Sequence, residues 1–473
     1  MRLRTSSEPK LILGSAERLN DPLNPKPVPE LKLNYSRRLQ HCIGFGMTGS
    51  GKTESLILNI ASQDINKNYG VVIIDGKGEI ENLSKIIYLT GNRKKDLYFL
   101  AVNENNNISE TYNPLLANIT IARKVEVLMK SFFEWNPSKP QDSATAYYIG
   151  QARQILNFSL GILEAQGKPY NFKDLYYLIT EPWLLKRLSE KAEMPTFLKS
   201  QVVSFLRATP KDREERVSGL LEKLSLFIED NVINSYKPTL NIKNILDNSK
   251  ILLVSLTGTT KEVVIGKLVL QDIENSLQLR QTTINKENMP NNYIFFDEFG
   301  SYIFQGFTRI LSQARSAKIG ILVSTQSFGD LTKISPEFTQ SVLDNCSSKF
   351  ILRQDSIGTK KIAEMLGEAL QPKGMESWSP DTIARRLTED YDFIVRPEAI
   401  KDLMTGEGIA SLPRTDGIGI YKVKFNFHQE LQNKPPAEYN PRPREEAEGL
   451  NLEKEVEKYY QDTDTGGEEN ETQ

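Results

Sequence analysis

The residues Gly46-Met47-Thr48-Gly49-Ser50-Gly51-Lys52-Thr53 constrain the fold of this chain more than any other stretch. They have the form G-x-x-x-x-G-K-[ST], a loop that cradles phosphates. The apolar run Cys42-Ile43-Gly44-Phe45 before them reads as a buried strand, and Glu54 to Ala61 after them as a helix. Glycines let successive backbone N–H groups turn inward, and the helix N-terminus adds partial positive charge, so a polyphosphate fits there. Lys52 then reaches the β- and γ-phosphates, and the Thr53 hydroxyl holds Mg²⁺. ATP and Mg²⁺ are the cofactors expected.

The apolar run Val71-Val72-Ile73-Ile74-Asp75 reads as a strand buried on both faces, and Leu97 to Val102 and Ile251 to Leu256 read as further strands. With the helices between them they predict an α/β fold, a P-loop nucleotide-binding domain with a mainly parallel central sheet. Tyr293-Ile294-Phe295-Phe296-Asp297-Glu298 places two acids at the end of such a strand. Asp297 is the candidate for the Mg²⁺ shell and Glu298 for the base that polarises the attacking water. Ile319 to Gln326 is another strand; Gln326 fits either a γ-phosphate sensor or a polar residue that merely ends a strand. Arg315, on the helix leading into that strand, fits either an arginine finger serving a neighbouring subunit or a surface arginine.

Between about 119 and 238 the period changes. Val125, Leu128, Met129, Phe132 and Phe133 fall on one helical face, as do Ala152, Ile155, Leu156, Ser159 and Leu160, and Val217, Leu220, Leu221, Leu224 and Ile228. This predicts an inserted all-α domain. The expected plan is an extended N-terminal arm over 1–36, nucleotide-binding segments over 37–118 and 239–429 flanking the insertion at 119–238, and an acidic, disordered tail over 430–473. A late strand at Ile418 to Phe425 is expected at a sheet edge.

Composition excludes several classes. No run approaches the roughly 18 apolar residues that span a bilayer, and the N-terminus lacks an apolar signal core. A cytoplasmic location is expected. Cys42 and Cys346 are too few for a disulfide framework and lack metal-ligand spacing, and His41 and His428 lie far apart with no ligand cluster around either, so no metal site is expected. The net charge of −2 is uneven: the last 29 residues are strongly acidic, which leaves a mildly basic body. That pattern suits a polyanion-binding motor, and equally a merely solvated tail.

His41 to Gly46 leading into the loop, Asp75-Gly76-Lys77-Gly78-Glu79, Tyr112-Asn113-Pro114-Leu115, Phe296-Asp297-Glu298, and Gln313-Ala314-Arg315-Ser316 followed by Ser324-Thr325-Gln326 together resemble one family. It is the coupling ATPases of conjugation and type IV secretion, the TraD, TraG and TrwB-like group with its DotL/IcmO subgroup, within the HerA/FtsK class of DNA pumps. The resemblance runs from about His41 to Phe425. It implies a RecA-like P-loop NTPase, a homohexameric ATPase that moves DNA and delivers a relaxase-bound single strand to a secretion channel. Carried over, Lys52 and Thr53 take the nucleotide, Asp297 the metal, Glu298 the water, Gln326 the γ-phosphate, and Arg315 the trans-acting finger. The helical domain faces DNA or relaxase, and the tail accessory DNA-processing proteins. Relatives usually begin with two membrane-spanning helices, so the expectation here is a separate membrane subunit holding the chain peripherally at the inner membrane. The other readings are a soluble HerA/FtsK-type pump acting in mobilisation, segregation or packaging, and a non-motor docking protein.

Overall fold

The structure is a computed structural model that describes residues 8–20, 27–103, 106–133, 143–283, 285, 287–302, 306–355, 358–379, 382–415 and 417–465. The chain divides into two compact units, one made of Met1–Leu97, Ile245–Val254 and Leu277–Tyr439, the other of Tyr98–Asn244, Ser255–Ser276 and Asn440–Gln473.

The first unit is built on a mixed sheet. Its strands in chain order are β1 (Lys10–Arg18), β2 (Pro27–Asn34), β3 (Cys42–Phe45) and β4 (Gly70–Asp75). After β5 (Leu97–Ala101), where the chain passes to the second unit, come β6 (Ile251–Ser255), β7 (Asn292–Asp297), β8 (Ile319–Thr325) and β9 (Ser348–Leu352). The last are β10 (Glu368–Ser379), β11 (Thr382–Phe393), β12 (Glu407–Arg414) and β13 (Gly417–Phe425). β10 and β11 pair with each other, and the sheet order of the rest begins β2-β1-β13-β12-β9-β3-β8-β7-β4-β6.

The pairs β3 with β8 and β9, β7 with β8, and β4 with β7 are parallel. Every residue of β3, β4, β7 and β8 is buried, as the uninterrupted apolar runs require of strands covered on both faces. Parallel register brings the carboxyl ends together: Phe45 lies opposite Thr325, and Asp75 opposite Asp297. Ligands of open α/β sheets bind at that edge.

Arg38, just before β3, forms a buried ion pair with Asp64 and stacks 3.8 Å over the Tyr293 ring. It ties the helix after the loop to β7. Burial pushes the Asp64 carboxyl up, against the guanidinium's pull.

Two expectations need correction here. The N-terminal arm is a hairpin of β1 and β2 whose β1 pairs antiparallel with β13. Its residues 1–7 and 21–26 lie outside the described residues. β13 is accordingly an inner strand between β12 and β1, and the edge belongs to β2. β2 carries Pro27 and Pro29, and prolines, which cannot donate to a ladder, are tolerated at a sheet edge.

The second unit is helical. Helices Ile121–Phe133, Ser143–Ala165, Phe172–Thr180, Pro182–Lys191, Thr196–Arg207 and Pro210–Ser225 carry the apolar stripes inward. Phe132, Phe172 and Phe227 stack at its centre, the last two 4.9 Å apart. Asn171 and Asp174 close a reciprocal capping box at the start of the third helix.

The tail expected to be disordered is folded as far as Thr465. After a 3₁₀ turn at Gln429–Leu431 it runs without regular structure to Asn451 and ends in the helix Leu452–Thr465, with Leu452 and Val456 buried. Its residues 466–473 lie outside the described residues. Among the described residues no helix is long and apolar enough to cross a membrane.

Candidate active site

The loop after β3 closes on itself. Lys52 donates to the Gly46 carbonyl, and to that of Met47 at 3.3 Å. The helix that follows opens with a π turn, Thr53–Leu58, before becoming α-helical over Asn59–Asn66. Such turns recur at functional sites. A Cβ on Gly46 would stand 2.5 Å from Ser50 Oγ and 2.8 Å from Lys52 Cγ, so only glycine lets the lysine stem pass. Ser50 Oγ is buried and unpartnered, a polar atom aimed into the loop that bound phosphate oxygens would satisfy. Thr48 and Gly49 complete the cradle, with the Gly49 carbonyl accepting from Thr405 Oγ1 at 3.2 Å.

The carboxylates arrive from β7. Asp297 Oδ2 accepts from Thr53 Oγ1 at 2.6 Å, while its Oδ1 accepts from the Glu298 amide at 3.1 Å. Glu298 is in the left-handed region at φ 49°, uncommon for a residue with a side chain, and this turn aims its carboxylate back at the loop. Glu298 Oε1 lies 3.7 Å from Lys52 Nζ and 3.3 Å from Lys77 Nζ. Burial pulls the Lys52 ammonium below its usual value, against the pull of Glu298 and Asp297. For the more exposed Lys77 burial acts the same way, but Asp297 and Glu298 outweigh it and raise the group. Asp75, opposite Asp297, is pushed up by burial and held by Asn82 Nδ2 at 2.9 Å.

The arrangement therefore joins Gly46 to Thr53 with Asp297 and Glu298. The residues present fit a nucleotide with a divalent cation: the Lys52 ammonium and the loop for phosphates, a hydroxyl and a carboxylate for the metal, and a second carboxylate, paired with Lys77, for water. Gln326 follows Thr325, whose carbonyl accepts from the Gly46 amide at 3.2 Å, so it flanks the loop; its side chain is exposed and its own carbonyl accepts from Gln354.

Arg315 is not brought to this site within the chain. It caps the helix Phe307–Ala314 before β8, at the amino end of a strand whose carboxyl end meets the loop. Seven residues of strand put the two ends about 20 Å apart. The helix is fixed by His41, which donates from Nε2 to the Leu311 carbonyl at 2.8 Å and accepts at Nδ1 from the Ile321 amide at 3.2 Å. Burial drops the His41 pKa to about 4, so the ring is neutral and can play both parts.

Sequence reading assigns no chemistry to Lys77, although the Asp75-Gly76-Lys77 segment stands out. It also misses the strand-end contacts on the loop, the Arg353 carbonyl accepting from Met47 at 2.9 Å and the Gly406 amide donating to Ser50 at 3.2 Å. No sequence signal links those residues to a loop some 300 to 350 positions earlier.

Fold and site together define a RecA-like P-loop NTPase carrying an all-α domain. Residues 291–414 match the family model described as the TraM recognition site of TraD and TraG. The type 4 coupling protein DotL of Legionella pneumophila is 21% identical over 371 residues, 66% of this chain and 47% of DotL. The chain thus spans about half the length of that relative. Among solved structures, the plasmid coupling protein TrwB in complex with ADP and Mg²⁺ superposes with a TM-score of 0.61 at 14% identity, covering 91% of this chain and 97% of that one. VirB4 of Thermoanaerobacter pseudethanolicus gives 0.51 at 14% identity, over 91% and 99%. The chain is thus similar to type IV coupling proteins over part of its sequence, and it shares the fold of TrwB.

Proposed function

We propose that this chain is an ATP-hydrolysing DNA motor that delivers a relaxase-bound single strand to a type IV secretion channel. The observation that carries the reading is the convergence of Lys52, Thr53, Asp297 and Glu298 on one loop. TrwB has been solved with ADP and Mg²⁺ and with a non-hydrolysable ATP analogue, which supports the same ligands here. Lys52 and the loop amides would hold the phosphates, and Thr53 and Asp297 the Mg²⁺, whose chemistry is to neutralise charge developing on the phosphoryl oxygens.

Glu298 takes a proton from the attacking water. With Lys52 drawn to the phosphates, Lys77 remains as the cation that holds this carboxylate in place. Gln326, beside the loop, orients the γ-phosphate or the water. Arg315 serves the site of the next subunit in a homohexamer, because a finger at the far edge of the sheet cannot reach its own loop. The cytoplasmic ring is held at the inner membrane by a separate subunit, with accessory DNA-processing proteins bringing the substrate.

The test is ATP hydrolysis with no DNA, with single-stranded DNA and with duplex, beside Lys52→Ala, at two salt concentrations. Stimulation by single strands supports delivery of a relaxase-bound strand. Preference for duplex points to a HerA/FtsK-type pump, and hydrolysis indifferent to DNA to a docking protein.

A further inference from the structure

The acidic C-terminal segment is seated on the helical unit through two attachments of different quality. Upstream, Arg442 donates to the buried Glu110 carboxylate at 2.8 Å and stacks 3.2 Å over the Tyr98 ring. Downstream, residues 446–465 lie on helices Phe172–Thr180 and Pro182–Lys191. There Glu448 meets Lys168 at 2.6 Å, Glu453 meets Lys173 at 3.1 Å, and Glu455 pairs with Arg187. Between these charges Leu452 and Val456 are buried, and the Tyr459 ring stacks 4.3 Å from Trp183.

The groove is shaped for its occupant. Gly449 packs so closely on Tyr236 that a Cβ would stand 2.2 Å from the ring. The buried Asp174, already bonded to the Asn171 amide in the capping box of helix Phe172–Thr180, accepts from the Leu452 amide at 2.8 Å. The groove therefore selects an acidic amphipathic helix with an apolar pair four residues apart and glutamates beside it.

The two attachments differ in what they resist. The ion pairs of the downstream half are partly exposed to solvent, and such pairs add little stability each. Leu452 and Val456 are the fully buried apolar side chains of that helix. The Arg442 anchor, by contrast, holds a buried carboxylate that cannot be left without a cation. The segment can peel from about residue 446 while it stays tethered at 442.

We propose that this groove is a docking site for an acidic amphipathic helix of a protein partner, and that residues 446–465 are its resident occupant, displaced when the partner binds. The chain's own tail shows what chemistry the groove takes, and the tether keeps the tail at high local concentration, so only a partner with a better helix, or many copies of one, wins.

The experiment titrates a fluorescently labelled peptide of residues 446–465 into the full chain and into Leu452→Asp/Val456→Asp, which releases the resident helix. Binding to the released variant at least tenfold tighter than to the unaltered chain is expected, with weakening at higher salt. Adding Lys173→Glu and Arg187→Glu should weaken it several-fold, and a peptide carrying Glu453→Lys and Glu455→Lys should restore it. Equal binding to the released and unaltered chains, or no rescue by the charge-swapped peptide, overturns the proposal.

Hydrogen exchange on the unaltered chain covers the case in which the released variant fails to fold. Amides of 452–465 should exchange faster than those of 172–180, and faster still with excess unlabelled peptide. Exchange unmoved by peptide overturns displacement. A labelled single-stranded oligonucleotide that binds the released groove in place of the peptide would assign the site to nucleic acid instead.

Discussion

Thr53 and Asp297, 244 positions apart in the sequence, are joined by a 2.6 Å hydrogen bond from the threonine hydroxyl to a carboxylate oxygen. The bond places the two metal-binding candidates of the loop and of β7 within reach of one cation before any cation is considered. Parallel register makes this possible, because β3, β7 and β8 all end at the same edge of the sheet.

Removing either partner should therefore damage metal use more than nucleotide use. Thr53→Ala and Asp297→Asn are each expected to lower Mg²⁺ affinity about 10–100-fold. Titration of Mg²⁺ against hydrolysis at fixed ATP measures it; an unchanged half-saturation point would remove both residues from the metal shell.

Lys52→Ala is expected to cut turnover by at least about 100-fold, since it removes the charge closest to the developing phosphoryl charge. The variant keeps the β3 strand and the Thr53–Asp297 bond, so its thermal unfolding should move little. Full activity in a folded Lys52→Ala protein would place hydrolysis elsewhere.

Glu298→Gln preserves the shape of a side chain fixed by a left-handed backbone turn and removes its capacity to take a proton. Nucleotide affinity is expected to stay within a few-fold while turnover falls about 10²–10⁴-fold. The split between equilibrium binding and single-turnover hydrolysis separates this from a structural role, in which binding would be lost first.

The loop and the two acids are legible in the sequence because each is a local pattern with one physical solution: glycines and a lysine between strand and helix, or acids ending an apolar run. The helical unit is legible in its period, as the buried Val125, Leu128, Met129 and Phe132 show. Lys77 is not, because its place beside Glu298 depends on the register that sets Asp75 against Asp297. The tail misleads for a similar reason: its glutamates read as a solvated run, whereas Glu453 and Glu455 have cations on helices some 270 to 280 residues away. Pro27 and Pro29 likewise suggest a free arm, when they lie on an edge strand.

Asp272 gives the helical unit a pH dependence of its own. Its buried carboxylate accepts from Tyr112 Oη at 3.0 Å, and burial lifts its pKa to about 6. The folded state then holds a proton that the unfolded state has released, so stability conferred by this group is present below about pH 4 and is lost as the pH rises to about 6. A carboxyl that titrates near 6 when folded and near 4 when unfolded changes stability by about 3 kcal/mol across that range. Asp272→Asn removes the titration, so its melting temperature relative to the unaltered chain should rise between pH 4 and pH 7. A difference independent of pH would mean that Asp272 titrates as an ordinary carboxyl.

Arg315 offers the sharpest test of assembly, because its place at the amino end of β8 and the loop at the carboxyl end exclude a role in its own site. If it completes the site of a neighbour, Arg315→Ala protein retains an intact loop and Lys52→Ala protein retains an intact finger. Each alone should be nearly inactive, about 10³-fold or more below the unaltered chain for loss of a finger. Mixed rings would pair some intact loops with some intact fingers, so activity should rise on mixing and peak near equal ratios. A plain average of the two parents at every ratio, with mixed assembly verified by pull-down of differently tagged chains, would return Arg315 to the surface of its helix. The hydrogen bonds from His41 to the Leu311 carbonyl and from the Ile321 amide to His41 allow a second test of the same role. His41→Ala should loosen the helix that carries Arg315 and lower turnover in uniform rings, while nucleotide affinity at the loop stays within a few-fold.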